Sequence, residues 1–519
     1  MTFVVSLSNH RLQIGGHSPI FAKVLVANRG EIAVRVQQTL KTLGIATVAV
    51  YSDPDNTASH VLMADEAWPL GGQTAAETYL DMEKLLTIAR RCGAEAIHPG
   101  YGFLSENPKF AKACDDAGIV FIGPSPESME ALGDKIRSKQ LARQAGVTVV
   151  PNSPPCDGID TAVEEFVAAW GFPLLVKAAA GGGGRGMRLV NSLEELAPAL
   201  DSAAREAHAA FGDGRVFLEH YVRRPRHVEI QVLADSLGNT VHLLERECSI
   251  QRRYQKIIEE TPSPAVTPEL RRQMGEAAVA LARSAGYVNA GTVEFLLNSE
   301  NGQFYYLEMN TRLQVEHPIT EEVLGIDLVE WQVRIASGEE LTFRQDDIRA
   351  RGHAVECRIY AEDPYNDFVP SVGTLVRWLP PSGPGLRLDS GATQGQSIST
   401  YYDPMLAKLI AWGPNRSSSL HRMDLALSEF PVLGVVTNIS FLRQVIRHPR
   451  FLEGEYDTGF LNSDMGVGQP EFSQETLNLA QALAAWAADA VSPQRPQIQE
   501  GQAAYENNPW LSAGKLRLP

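Results

Sequence analysis

A run of glycines between two basic side chains is the first feature of the sequence that could do chemistry. It reads Lys177-Ala-Ala-Ala-Gly181-Gly-Gly-Gly184-Arg185-Gly186-Met187. Consecutive glycines let backbone N–H groups approach phosphate oxygens without obstruction by a Cβ atom. A hinge or a tight turn could have the same composition, but Lys177 and Arg185 add the positive charge that a phosphate needs. No Gly-Lys-Ser/Thr follows, so we predict a phosphate-binding loop, with Gly182, Gly183 and Gly184, that is not of the Walker A type.

Two glutamates are predicted to face each other across a β-hairpin. If a three-residue loop ends at a left-handed Gly302, Ser299 pairs with Gln303. Counting back along the strands then places Glu294 opposite Glu308, with their Cβ atoms about 5 Å apart. Two carboxylates at this separation repel each other unless a cation joins them.

An asparagine completes this acidic group. Side chains in a strand alternate between faces, so Asn310 points the same way as Glu308. Two carboxylates and an amide oxygen suit Mg²⁺ or Mn²⁺, with nucleotide phosphates completing the coordination shell. A solvated sheet face is the alternative interpretation. We predict a metal site at Glu294, Glu308 and Asn310.

Two further segments could bind anions. If the chain stays extended after the hairpin, Arg312, Gln314 and Glu316 share a side, where the guanidinium could hold a small planar anion while the carboxylate removes a proton. A structural salt bridge is the alternative here. The second segment, Gln251-Arg-Arg-Tyr254-Gln-Lys256, is a basic cluster in an acidic protein. A solvated loop is its usual explanation, but a site for phosphate and another anion would need such a cluster.

The elements that must position these groups fall into blocks. Strands over residues 23–27, 46–51, 95–98 and 119–123 alternate with helices over 30–43 and about 78–91, which predicts a parallel sheet with helices on both faces. A nicotinamide-binding domain is disfavoured, because the first turn has one glycine where that fingerprint needs three. The second block has an α+β pattern, with helices at 161–170 and 193–210, a strand at 174–179 and two hairpins. The third is rich in strands. A predicted helix over 475–491 and a Pro/Gln-rich stretch end the chain.

Composition restricts the possible partners. The 519 residues predict about three domains, and 46 Lys+Arg against 62 Asp+Glu give a net charge of −16, which argues against nucleic-acid binding. The five cysteines form no Cys-x-x-Cys pair, so a thiolate zinc ribbon is excluded and a disulfide scaffold is disfavoured. No stretch of about 18 apolar residues predicts a membrane span, and residues 1–20 lack the pattern of a signal peptide. We expect a cytoplasmic protein.

Taken together, these segments resemble the biotin carboxylase family of ATP-grasp enzymes. The resemblance extends from about residue 21 to 461, in order and at the family's spacing. It rests on the segments Ala27–Ala33, His98–Asn107, Gly133–Lys135, Lys177–Met187, Pro225–Gln231, Glu308–Pro318, Arg351–Asp363 and Tyr401–Met405.

The resemblance implies a role for each matching residue. Nucleotide phosphate or ribose contacts fall on Lys135, Lys177, His227 and Gln251, and the adenine pocket on Glu219, His220, Val222 and Leu296. The metal positions are again Glu294, Glu308 and Asn310. The bicarbonate site comprises Lys256, Arg312, Gln314, Val315 and Glu316, with Glu316 as the general base. The biotin side comprises Tyr101, Gly102 and Arg358, with Arg358 stabilising the developing enolate oxygen of biotin.

The resemblance also implies the reaction. ATP and bicarbonate would form carboxyphosphate, which carboxylates biotin on a carrier protein as the first half-reaction of an acyl-CoA carboxylase. ATP, Mg²⁺ or Mn²⁺ and biotin are the implied cofactors, and a homodimer is the implied assembly. No methionine here is followed by lysine, so we expect the biotinyl carrier and the carboxyltransferase on other chains, or cut away. The alternatives are another ATP-grasp ligase and a non-catalytic nucleotide-binding subunit.

Two positions depart from the family pattern. The family usually has histidine where this chain has Tyr254, and commonly lysine where it has His220. Tyrosine can donate a hydrogen bond but carries no positive charge, so we predict weaker nucleotide affinity.

The expected architecture is a multidomain protein of α/β and α+β class. We expect an extension over residues 1–20, an N-terminal parallel α/β domain over 21–134, an ATP-grasp domain with a glycine-rich lid over 135–338, a strand-rich biotin carboxylase C-terminal domain over 339–461 and a linker-like tail over 462–519.

Overall fold

The structure is a computed structural model that describes residues 20–156, 158–179 and 187–465, and residues 474–475, 478–479 and 481–482. Gly182, Gly183 and Gly184 of the predicted loop lie outside the described residues, as do nearly all of the predicted extension and most of the tail. The chain divides into two compact units, residues 1–467 and 468–519, and all elements below belong to the first. Within the described ranges, no helix combines the length and apolarity needed to cross a bilayer.

The N-terminal block is a five-stranded parallel sheet with helices, as the sequence predicted. Its strands are β1 (Lys23–Val26), β2 (Ala46–Tyr51), β3 (Glu66–Pro69), β4 (Ala96–His98) and β5 (Val120–Phe121), and its helices are α1 (Gly30–Thr42), α2 (Ser59–Met63), α3 (Met82–Cys92), α4 (Pro108–Asp116) and α5 (Pro126–Gly133). The strand order is β3-β2-β1-β4-β5. The sequence prediction omitted β3, because this edge strand is half exposed and carries no apolar run.

The central block begins with a small antiparallel sheet. Its elements, in chain order, are α6 (Lys135–Gln144), α7 (Thr161–Trp170), β6 (Leu174–Ala178), β7 (Arg188–Val190), α8 (Leu193–Phe211) and β8 (Val216–His220). The strand order is β7-β6-β8. Val163 and Phe166 of α7 and Leu196 and Leu200 of α8 pack with Val176 and its neighbours in one apolar core, which fixes the orientation of the strand that carries the predicted phosphate-binding lysine.

A larger sheet follows in the same block. Its elements are β9 (Arg226–Ala234), β10 (Thr240–Arg252), β11 (Gln255–Thr261), α9 (Pro268–Ser284), β12 (Asn289–Leu297), β13 (Phe304–Asn310), α10 (His317–Leu324) and α11 (Leu328–Ala336). Every residue of β9 is buried, including Glu229 and Gln231. Buried charged groups need partners, so a strand of this kind indicates a site rather than a plain core.

The C-terminal block continues this sheet. Its strands are β14 (His353–Tyr360), β15 (Glu362–Asp363), β16 (Val369–Pro370), β17 (Gly373–Thr374), β18 (Arg377–Trp378), β19 (Leu386–Ser390), β20 (Ser397–Ile398), β21 (Met405–Gly413) and β22 (Val432–Leu433), and its helices are α12 (Arg416–Ser428), α13 (Ile439–Arg447), α14 (Pro449–Leu452) and α15 (Phe460–Ser463). The order β13-β12-β9-β10-β11-β14-β21-β19 joins both blocks into one eight-stranded sheet.

Helix α10 packs across the junction of the two blocks. Its residues Ile319 and Val323 contact Ala354 on β14 and Ile410 on β21 in one apolar cluster. The first residue before the helix, Glu316, is therefore held over the sheet at the boundary between the blocks.

Candidate active site

One buried ammonium group lies at the centre of the site. Lys256 Nζ, on β11, is 2.5 Å from Glu229 Oε2, 2.9 Å from Glu294 Oε1 and 2.6 Å from Glu316 Oε1. Burial disfavours the charge of Lys256, but the three carboxylates outweigh it and raise the pKa of Lys256 well above its ordinary value. The lysine therefore stays positive and holds three acidic side chains together.

Glu316 lies between two cations. Its Oε2 accepts a hydrogen bond from Arg358 Nη2 at 2.9 Å, on the side away from Lys256. Burial raises the pKa of Glu316, but Lys256 and Arg358 reverse this effect and hold it well below its ordinary value. The condition of an extended chain, on which the common side of Arg312, Gln314 and Glu316 depended, is not met, because Glu316 has φ −80° and ψ 10° and occupies the N-cap position of α10.

A second carboxyl group holds Arg358 from the other side. Arg358 Nε donates to Glu259 Oε1 at 2.7 Å. Burial is the main reason that the pKa of Glu259 is raised to about 7. Beside it in register is Glu356, whose carboxyl group is fully buried and has no hydrogen-bond partner among the described residues. Burial raises the pKa of Glu356 well above its ordinary value, so its neutral form is favoured.

The predicted pairing of Glu294 with Glu308 is confirmed, although the route to it was wrong. Close to the turn the register joins Leu297 to Phe304, one residue out of step with the predicted Ser299–Gln303 pair. A bulge between Phe295 and Glu294 shifts the register back, so that Glu294 lies opposite Glu308.

The donor set of this hairpin suits a hard divalent cation. Glu294 is buried, and Glu308 and Asn310 are half buried. Lys135 Nζ lies 3.8 Å from Glu308 Oε2, and Arg312 Nη2 lies 3.5 Å from Asn310 Oδ1. The two carboxylates and the amide oxygen are the ligand types that Mg²⁺ and Mn²⁺ prefer, and the positive charge of Lys135 and Arg312 favours an anionic ligand of the metal.

On the central block, a buried carboxylate holds two lysines. Glu219 on β8 forms ion pairs with Lys177 on β6 and with Lys139 on α6. Burial alone would raise the pKa of Glu219, but the two ammonium groups lower it to about 2. The resemblance implied Lys177 and Glu219, whereas Lys139 was missed, because on a helix of charged residues nothing distinguishes it.

A histidine and a glutamine adjoin the cluster around Lys256 through Glu294. His227 lies with its Nε2 3.2 Å from Glu294 Oε2, and its Nδ1 is 2.9 Å from Gln251 Nε2. Burial lowers the pKa of His227, but Glu294 and Glu229 together reverse this effect and raise it.

The residues predicted for the adenine pocket fall on different faces. Val222 is buried and Leu296 is half buried. Glu219 and His220 are successive residues of a strand, so their side chains point in opposite directions. The His220 ring packs against Trp170, with the ring centres 4.9 Å apart. The His220 side chain therefore lies on the face away from the two lysines.

Tyr254 lies at the tip of the β10–β11 hairpin. With φ +50° and +67°, Arg253 and Tyr254 form the two-residue turn between the strands. Tyr254 is 61% exposed.

The predicted bicarbonate residues beyond Lys256 and Glu316 lie at the end of the hairpin. Arg312 Nε donates to Glu106 Oε2 at 2.9 Å, and its Nη1 donates to Gln314 Oε1 at 3.0 Å. Gln314 Nε2 is buried and has no partner within the part of the chain that the structure describes. An unpartnered buried donor at this point favours a bound acceptor. Val315 presents its backbone carbonyl to Lys408 Nζ at 2.8 Å.

On the predicted biotin side, Tyr101 and Gly102 follow β4. The Tyr101 hydroxyl donates to Glu31 on α1, and Gly102 has φ +68°, which favours glycine. Glu31 in turn lies 3.1 Å from Lys408 Nζ.

Sequence reasoning missed several residues that hold the predicted ones. Besides Lys139, they are Glu31, Glu229, Arg246, Glu259 and Lys408. Glu356, next to Glu259 in register, was missed as well, but its carboxyl group has no hydrogen-bond partner among the described residues. Glu229 lies within one of the segments that carry the resemblance, and the fully buried Arg246 binds it at 2.5 Å. For those on strands, the signal was a charged residue between apolar ones, which a search for single motifs does not detect; Glu31 and Lys139 lie on helices and have no such signal.

Three sequence families match the chain in order. The family described as biotin carboxylase, N-terminal domain, matches residues 20–129. The ATP-binding domain of the carbamoyl-phosphate synthase L chain matches residues 134–344, and the biotin carboxylase C-terminal domain matches residues 356–463.

Relatives of known name cover most of the chain. It is 47% identical over 501 residues to the mitochondrial methylcrotonoyl-CoA carboxylase subunit alpha of Dictyostelium discoideum, covering 96% of this chain and 70% of the relative. It is 49% identical over 441 residues to the biotin carboxylase of Nostoc sp., covering 85% and 98%.

Solved structures give the same picture. The biotin carboxylase domain dimer of Hydrogenobacter thermophilus 2-oxoglutarate carboxylase, in complex with MgADP, ADP and bicarbonate, is 47% identical, covers 88% of this chain and 100% of its own, and superposes with a TM-score of 0.83. The biotin carboxylase–βγ-ATP complex from Campylobacter jejuni is 42% identical, with coverage of 85% and 98% and a TM-score of 0.83.

Proposed function

The chain belongs to the biotin carboxylase family, and we propose that the cluster around Lys256 carries out its ATP-dependent carboxylation of biotin. The chain is a ligase that uses ATP, bicarbonate and a divalent metal. The observation that carries the assignment of residues is the buried ammonium group shared by Glu229, Glu294 and Glu316, with Arg358 on the far side of Glu316.

Glu316 is the proposed general base. With two cations on its carboxylate it is a weak base, because its pKa is held well below the ordinary value. A bicarbonate ion that accepts hydrogen bonds from Lys256 and Arg312 weakens the bond between Lys256 and Glu316. Partial loss of that ion pair raises the pKa of Glu316 towards the range in which it takes the bicarbonate proton. The base is thus activated by the substrate that it deprotonates.

The nucleotide binds, in this proposal, between the small sheet and the larger one. Lys135, Lys177, His227 and Gln251 serve the phosphates or ribose. Water exclusion matters, because the carboxyphosphate formed by attack of bicarbonate on the γ-phosphoryl group is labile. Glu294, Glu308 and Asn310 would hold Mg²⁺ or Mn²⁺, which when bound neutralises charge on the phosphate oxygens.

Arg358 contacts two carboxylates in the structure, and we propose biotin as a further partner. In the free protein it bonds to Glu316 and Glu259. Near biotin, its guanidinium supports negative charge on the ureido oxygen, while Tyr101 and Gly102 line the same side. We propose that a biotinyl carrier protein presents its attached biotin for carboxylation, that a carboxyltransferase uses the carboxybiotin, and that the chain assembles as a homodimer.

The deciding experiment measures ATP hydrolysis with and without bicarbonate and free biotin. We expect hydrolysis that requires bicarbonate and increases with biotin. Glu316→Gln should lower the carboxylation rate more than tenfold, because general base catalysis contributes about 10²–10⁴-fold. Glu269→Gln, at an exposed surface ion pair on α9, is the matched control and should stay within twofold.

Other outcomes identify the alternatives. Hydrolysis that depends on a different carboxylate or amine would identify another ATP-grasp ligase. Nucleotide binding without turnover would identify a non-catalytic subunit. A near-native rate in Glu316→Gln would contradict the role given to that carboxylate.

A further inference from the structure

Lys408 is a fully buried lysine that the proposed reaction does not use. It lies in the middle of β21, where its register partners are Arg358 on β14 and Asp389 on β19. Paired residues of neighbouring strands project from the same face of a sheet. The ammonium group of Lys408 therefore lies under α10, beside the guanidinium proposed for biotin.

Its ammonium group joins three parts of the chain. Lys408 Nζ donates to the Val315 carbonyl at 2.8 Å and lies 3.1 Å from Glu31 Oε1 and 3.8 Å from Asp389 Oδ2. Glu31 belongs to the N-terminal block, Val315 to the central block and Asp389 to the C-terminal block. An ammonium group has three hydrogen atoms to donate, and at 0% exposure Lys408 has little access to water as a substitute partner.

One of these contacts leads to the biotin side. The Glu31 oxygen nearest to Lys408 is the one that accepts the hydroxyl hydrogen of Tyr101. Lys408 Nζ also lies 5.9 Å from the centre of the Tyr101 ring. The position of that ring therefore depends on Lys408, both through Glu31 and directly.

The other contact leads to the bicarbonate side. The Val315 carbonyl belongs to the peptide group that joins Val315 to Glu316, and Gln314 precedes it. A hydrogen bond from a buried cation is about twice as strong as a neutral one. The bond from Lys408 thus fixes the backbone from which the proposed base and its neighbouring amide project.

We propose that Lys408 is a positioning residue that couples the biotin-facing Tyr101 to the bicarbonate-facing turn at Val315. The inference rests on the proposed function, which assigns the two faces. A displacement of Tyr101 is transmitted through Glu31 to the ammonium group, and from there to the peptide next to Glu316. The two binding faces are therefore held in one geometry by a group that touches neither substrate.

The test uses Lys408→Met, which keeps the length of the side chain and removes the charge. We expect the KM values for biotin and for bicarbonate each to rise at least tenfold in bicarbonate-dependent ATP hydrolysis. The dissociation constant for MgADP should stay within threefold, because none of the described contacts of Lys408 is with Lys177, Glu219 or another residue proposed for the nucleotide. Lys112→Met, which removes an exposed ion pair on α4, is the control and should change none of these values.

A double-mutant cycle with Tyr101→Phe separates coupling from general damage. If Lys408 acts through Glu31 on Tyr101, the loss of the hydroxyl should raise the biotin KM several-fold in the wild-type background and less than twofold in Lys408→Met. If the two substitutions raise the biotin KM independently, so that their factors multiply in the double variant, the inference is overturned. Unchanged KM values in an active Lys408→Met would also overturn it.

If Lys408→Met does not fold, Glu31→Gln provides the same test. It weakens the link but keeps an oxygen at the same place, and the two KM values should rise together. If both stay unchanged, the inference is overturned. A wild-type protein without bicarbonate-dependent hydrolysis would refute the proposed function itself, whereas an active wild type with an unaltered variant refutes the coupling alone.

Discussion

Replacing the carboxylate of Glu219 by an amide isolates one interaction of the nucleotide side. In the native protein Glu219 is fully buried between Lys139 and Lys177. Glu219→Gln keeps the shape of the side chain but leaves two buried ammonium groups without their counter-charge. Breaking a buried ion pair in this way is strongly destabilising.

The pKa of Glu219 gives the size of the effect. A fall from the ordinary value of 4.5 to about 2 corresponds to about 3 kcal/mol, at 1.36 kcal/mol for each pKa unit. The sign follows from the lowered folded-state pKa. The stabilisation is fully present above pH 4.5 and is lost as the pH falls towards 2. The variant should therefore be less stable than the wild type by about 3 kcal/mol at pH 7. At pH 4 this loss of stability should be smaller by about 1 kcal/mol.

Urea unfolding at these two pH values is the assay. Glu164→Gln, at an exposed position in the first turn of α7, is the matched control and should change stability by no more than about 0.5 kcal/mol. A loss below about 1 kcal/mol for Glu219→Gln, equal at both pH values, would refute the argument. It would mean that the two lysines do not depend on this carboxylate for their placement.

Two other substitutions test single features of the site. Tyr254→His restores the residue usual in the family at the tip of the β10–β11 hairpin. It should raise nucleotide affinity in a titration, because histidine can carry the positive charge that tyrosine lacks. An unchanged affinity would refute the predicted effect of tyrosine at this position. Glu356→Gln removes a carboxyl group whose pKa is raised by burial. Because that carboxyl group binds a proton more tightly in the folded wild type than in the unfolded chain, the wild type loses stability as the pH rises above 4.5. The free energy of unfolding of this variant should therefore improve relative to the wild type between pH 5 and pH 8, and an opposite or flat trend in urea unfolding would contradict a neutral carboxyl group at this position.

The sequence predicted local structure well wherever the pattern was local. The helix over 161–170 and the strand over 46–51 have the predicted bounds, because each is set by a cap or turn residue and a short apolar repeat. The parallel arrangement of the first sheet follows from the alternation of such units. In contrast, nothing local indicates that β11 pairs with β14, which lies about ninety residues further along the chain.

The β12–β13 hairpin, which carries the predicted metal ligands, shows how a correct pairing can arise from an incorrect register. The predicted pairing requires a continuous ladder from the turn, whereas the structure has a bulge that moves the register by one residue beside Glu294. Without the bulge Glu294 would face Leu307. A bulge leaves no composition signal, and yet it decides whether two carboxylates can share a cation.

The residues that sequence reasoning missed are those whose function is to hold other residues. Glu229, Arg246 and Lys408 make their contacts across strands or between blocks, at separations no periodicity can report. Each is a charge in a strand that is otherwise buried, and such a charge requires a partner. The partner of each is itself a proposed site residue or the holder of one. A search for charges that cannot reach solvent therefore finds the support of a site, whereas a search for motifs finds the groups that touch the substrates.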